Sequence, residues 1–104
     1  MVEVFFPPPE RSRLRLRVTG HCGAAGKGKD LVCAAVSSLV QTMVGGMEKE
    51  VQASVEGTFE EGICDVQVVV NESREPELAA IARVFRFGFE KLAREHPTHI
   101  RIVN

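Results

Sequence analysis

The chain has 104 residues, 44% apolar and 26% charged, with a formal net charge of -1. That length and balance suit one compact domain over residues 1–104 and exclude a disordered chain, while near-neutral charge gives no general pull toward nucleic acid or an anionic membrane, so neither is an expected partner. Three cysteines in no disulfide-scaffold spacing, and an apolar start cut short by Pro7-Pro8-Pro9 before it makes a signal peptide, point to a reducing cytoplasm.

The first expected strand is Val2 to Phe6, stopped by the prolines. Leu14 to Thr19 is the second: Leu14, Leu16 and Val18 alternate with Arg13, Arg15 and Arg17, which is the pattern of a sheet with one buried and one wet face. The arginine row is either that wet face or a surface for phosphates or an acidic peptide. Asp30 to about Met47 reads as a helix with Asp30 as N-cap and with Gly45-Gly46 ending it. No charged side chain lies between Asp30 and Glu48. A helix apolar or small nearly all round is central, with one covering surface in so small a domain open to a second subunit. Residues from Leu31 to Met47 are diluted by Ser37, Ser38, Gln41, Thr42 and two glycines, so no bilayer-spanning stretch is expected.

Val51 to Glu56 and Ile63 to Val70 read as a pair of strands joined through Gly57 to Gly62. Asn71 to Arg74 is a turn. Pro76 suits a first helical position, and the helix it opens runs to about His96 with Leu78, Ile81, Ala82, Phe85, Phe89 and Leu92 on one face. Pro97 stops it, and Ile100 to Val103 makes a short last strand. Paired strands with short connections imply an α+β fold of two layers, a mostly antiparallel sheet with two helices packed on it.

The chemistry concentrates between Gly20 and Ser37. A strand ends in His21, a loop with Gly23, Gly26 and Gly28 follows, and Cys33 sits near the start of a helix. Unpaired amides and the helix dipole at such a position lower a thiol pKa from its usual value of about 8.5. If the strand end lies beside the helix start, His21 takes the thiol proton. Cys33 can then attack a peptide carbonyl, with His21 protonating the leaving amine and activating water for release. Asp30 either caps the helix or also orients His21. Ser37, one turn beyond Cys33, either lines the pocket and donates to the sulfur or fills a tight packing contact. A buried core cysteine and a surface histidine are the plain alternatives.

The words Gly20-His21-x-Gly23 and Gly28-x-Asp30-x-Val32-Cys33-Ala34-Ala35-Val36-Ser37 resemble the signature of the ribosomal-processing cysteine protease family Prp. The resemblance implies a cytoplasmic endopeptidase, usually a homodimer. Its partner is a large-subunit ribosomal protein, from which it removes a short N-terminal extension. Carried over, the catalytic histidine falls on His21 and the nucleophile on Cys33. Gly20, Gly23, Asp30 and Ser37 take supporting positions, and an apolar cleft is expected beside Cys33. No cofactor is implied. Cys22 stands where the family commonly has alanine, and the loop from Gly23 to Lys29 lacks the aromatic residue many members carry. Cys22 adjoins the base, so a reversible Cys22–Cys33 disulfide that silences the enzyme under oxidation is one reading, and a small apolar filler the other.

Two other function classes compete. A zinc site could draw on His21, Cys22, Cys33 and Cys64, or on His96 and His99, but no C-x-x-C is present and no metal is expected. A non-enzymatic dimeric module could dock on a ribosomal protein or RNA through Arg13, Arg15 and Arg17, with salt-sensitive binding.

Overall fold

The computed structural model describes residues 1–20, 27–60 and 62–104, and of 27–30 the backbone alone. Strands β1 (Val2–Phe5) and β2 (Arg13–Thr19) pair antiparallel, Val4 facing Val18. Helix α1 (Lys27–Glu50) follows, then a hairpin of β3 (Ser54–Glu60) and β4 (Ile63–Val69), and helix α2 (Glu75–Glu95), which leads to β5 (Ile100–Val103). The sheet order is β3-β4-β2-β1-β5, with every neighbouring pair antiparallel except β1 and β5.

Alternation does what the sequence asks of it. Leu14 and Leu16 on β2 stand in register with Val68 and Val66 on β4, and all four are buried. Val2, Val4 and Ile100 extend that apolar face across β1 and β5. Onto it α1 lays Val32, Val36, Val40, Met43, Val44 and Met47, and α2 lays Leu78, Ala82 and Phe89. Ile81, Phe85 and Leu92 flank them, half-buried. Phe6 meets Phe89 edge to face with ring centroids 5.5 Å apart, a geometry that aromatic quadrupoles favour. The opposite sheet face is polar and unhelixed. The two-layer α+β architecture is the expected one.

The sequence placed three boundaries differently. α1 starts at Lys27 rather than Asp30, so Asp30 lies within its first turn and is not the N-cap. It also runs through Gly45-Gly46, both of which face open space. Met43, Val44 and Met47 bury on either side of the pair and outweigh the propensity loss of about 1 kcal/mol per glycine. The helix ends instead where Gln52 turns to φ 53° and Ala53 N–H returns to the Met47 carbonyl at 3.1 Å. β3 accordingly begins later than the sequence predicts and includes Gly57, expected in the connecting loop. At φ +139°, a Cβ there would lie 2.0 Å from the Asp65 carbonyl oxygen, so only glycine fits the strand at this point.

By length and composition Leu31–Glu50 is apolar enough to cross a membrane, with a mean hydropathy of 1.3. This corrects the expectation that no such stretch exists. One face of the helix is the core over the sheet, so its apolarity has a structural use. The rest of it is less covered than expected of a central helix: Leu31 is 71% exposed.

Candidate active site

The end of β2 is held by a glycine whose backbone conformation and surroundings disfavour any side chain. Gly20 has φ +95°, and a Cβ on it would sit 2.2 Å from the Met1 carbonyl oxygen. Its N–H donates to the Gly62 carbonyl at 3.1 Å, tying the strand end to the β3–β4 hairpin. This gives a physical reason for a glycine immediately before His21. His21, Cys22 and Gly23 themselves lie outside the described residues, as does the side chain of Asp30.

Beside Gly20 a cleft of about 280 Å³ opens between α1 and the sheet. Cys33 and Ser37 enter it from one flank of α1, with Gln41 a further turn along. Val36 and Val40 contribute from the same helix, and Val2, Val18 and Cys64 from the sheet. Phe59 and Gly62 close it on the hairpin side. The cleft is possible because β3 is the sheet edge, and there Phe59 is left 52% exposed on the helix-bearing face. The volume is at the small end for a ligand site and suits one or two apolar side chains of a peptide.

The two cysteines at this cleft differ in character. Cys64 is a buried, free thiol, pushed up to about 11 first by burial and second by the Asp65 carboxylate. Such a group stays protonated and inert. Cys33 is half-buried and engaged in a disulfide. It is the seventh residue of α1, one turn deeper than an N-cap at Asp30 would place it. The helix dipole fades within the first turn, so it acts less on Cys33 than it would at the third helical position. Gly20, Cys33 and Ser37 are thus brought together at one cleft.

Phe59 and Gln41 were not singled out from the sequence. Gln41 had a local signal, since Cys33, Ser37 and Gln41 repeat every four residues. Phe59 had none: the pairing of β3 with β4, which sets Phe59 opposite Cys64, brings it to the cleft.

A family model described as cysteine protease Prp matches residues 1–101. The chain belongs to that family. It is a cysteine protease of α+β fold, which is the family and enzyme class that the Gly20 to Ser37 motifs implied. Among curated proteins no sequence match is found. Solved structures are similar along nearly the whole chain. SMU.848 from Streptococcus mutans has a TM-score of 0.79 at 24% identity, covering 98% of this chain and 91% of that one. The essential ribosomal processing protease Prp from S. aureus, in complex with a substrate peptide, has a TM-score of 0.78 at 14% identity, covering 99% and 98%. The same S. aureus protease with a covalently linked product peptide gives 0.75 at 16%, covering 98% and 97%.

Membership of the Prp family sets aside the non-enzymatic docking module. Arg15 pairs with Asp65 at 3.2 Å and lies over the Phe5 ring, and Arg13 reaches Gln67 at 3.5 Å. Arg101 pairs with Glu3 on the same sheet face. Arg13 and Arg15 are thus engaged by neighbouring side chains on a solvated sheet face. Among the described residues no three His, Cys, Asp or Glu side chains gather as metal ligands. His99 Nδ1 lies 3.1 Å from Thr98 Oγ1, and its backbone N–H donates to the His96 carbonyl in the turn before β5.

Proposed function

We propose that this Prp-family protease is a cytoplasmic endopeptidase that removes the short N-terminal extension of a large-subunit ribosomal protein. In this reading one domain, residues 1–104, works as a homodimer without a cofactor, a membrane or direct nucleic-acid contact. Reduced Cys33 is the nucleophile and His21 the base. His21 takes the Cys33 proton, the thiolate sulfur adds to the scissile carbonyl, and the tetrahedral intermediate expels the amine as His21 returns the proton. Water, deprotonated by His21, then hydrolyses the thioester and frees the new C-terminus. Backbone amides of the loop or of the start of α1 are the candidate oxyanion donors. Asp30 orients His21 or favours the helix N-terminus electrostatically, and Ser37 lines the site.

The observation that carries this reading is the placement of Cys33 in an apolar cleft that a peptide side chain fits. Support comes also from the fold-level likeness to the S. aureus protease complexes with substrate and product peptides. Exposed apolar side chains on the helix layer are consistent with the homodimer: Val84 and Phe87 on α2 are 65% and 61% exposed.

The test is incubation of the reduced protein with a peptide spanning the extension of the precursor, beside Cys33→Ala and His21→Ala. Cleavage at one bond by the parent alone is the expected result. Cleavage by either variant at the parent rate removes that residue from its role.

A further inference from the structure

Cys33, Ser37 and Gln41 line the cleft from one flank of α1. Spacing of four stacks side chains one above another on a helix. From Cys33 to Gln41 the helix rises about 12 Å at 1.5 Å per residue. A peptide in extended conformation covers that distance in about 3.6 residues at 3.3 Å each. Phe59 stands on the hairpin side of the same slot. The slot therefore has an apolar floor, a polar rail on α1, and Phe59 with Glu60 opposite it; the rail is as long as a short stretch of extended chain.

Gln41 is exposed, and its side chain makes no hydrogen bond to any described residue. Its carboxamide offers an acceptor oxygen and two donor hydrogens. In an extended chain the N–H and C=O of one residue point to the same side, and a carboxamide can pair with both. Among the described residues, Gln41 is the polar side chain that α1 adds to the cleft beyond Ser37.

We propose that Gln41 is a substrate-binding residue that grips the peptide main chain three to four positions from the scissile bond. The contact is blind to the side chain at that position and sets a minimum length for a good substrate. This rests on the cleft being the active site and on Cys33 being the nucleophile.

The experiment is a double-mutant cycle in solution. Parent, Gln41→Ala and Gln41→Glu are assayed against the extension peptide. They are also assayed against analogues in which single amide N–H groups, three and four residues to either side of the cut, are replaced by ester oxygen. Gln41→Ala is expected to raise KM about ten-fold with kcat nearly unchanged, the scale of one or two hydrogen bonds. One ester position should weaken the parent similarly and cost Gln41→Ala nothing further. Far-UV circular dichroism confirms that the variants fold. An unchanged KM, or losses that add at every ester position, overturns the proposal. Cys33→Ala is run alongside: if it cuts the parent peptide the active-site reading itself fails, whereas Cys33-dependent cleavage indifferent to Gln41 sinks only the positioning role.

Discussion

Replacing Gly20 by alanine tests how tightly the strand end that precedes His21 is specified. At φ +95° an L-residue costs about 1–3 kcal/mol in backbone strain alone. The added Cβ also meets the Met1 carbonyl oxygen at 2.2 Å, and relieving it means moving the start of β1 by about 1 Å toward ordinary contact distance. That movement disturbs the Val2 N–H bond to the His99 carbonyl at 2.8 Å and the pairing of Val2 with Ile100. In a protein of this size each kcal/mol lowers Tm by about 4–8 °C. Gly20→Ala should therefore melt at least about 4 °C below the parent by circular dichroism. It should also lose kcat/KM, because Val2 forms part of the cleft. A melting temperature within 1–2 °C of the parent (about the scatter of such scans) would refute the reasoning.

Further outcomes follow from the cysteines and the helix layer. At pH 8 the thiolate fraction of Cys64 is about 0.001 from its value of about 11, against about 0.2 for an ordinary cysteine, so mass-monitored alkylation of the reduced native protein should label Cys33 first; equal rates contradict the assignment. Because Cys64 holds its proton more tightly folded than unfolded, its contribution to stability is intact below about pH 9 and is lost as the pH rises toward about 11. Urea midpoints for the parent should fall faster over that range than those of Cys64→Val. With Cys33 in a disulfide, peptide cleavage should depend on added thiol reductant. Peroxide should silence the parent reversibly and Cys22→Ser less so, and intact mass that shows no two-hydrogen loss in the oxidised parent defeats the Cys22–Cys33 switch. Phe87→Asp should shift sedimentation toward the monomer while far-UV circular dichroism stays that of the folded chain, since the side chain is exposed in one copy; an unchanged mass places the dimer contact elsewhere.

Most of the fold could be read from periodicity. Leu14, Leu16 and Val18 against three arginines fixed the face of β2, and Leu78, Ala82 and Phe89 fixed that of α2. Errors arose where a residue's local preference lost to packing. Asp30 and Gly28 read as cap and loop, yet both are helical. Gly45-Gly46 read as a stop, yet the apolar face continues to Met47. Gly57 read as a turn, yet it lies where two strands come too close for any Cβ. At the site, Cys33 and Ser37 were legible because a motif and a helix period coincide there. Phe59 was not, because register between β3 and β4 is a long-range fact that no window of sequence contains.

The contact between Met1 and Gly20 has a practical corollary. Residues joined ahead of Met1, whether an affinity tag or a fusion partner, would emerge at the rim of the cleft, where Val2 is already a wall. A tag fused there competes with the substrate for space, while one appended after Asn104 leaves from β5, at the far edge of the sheet from β3. Comparing the two fusions would reveal how much room a polypeptide needs to enter.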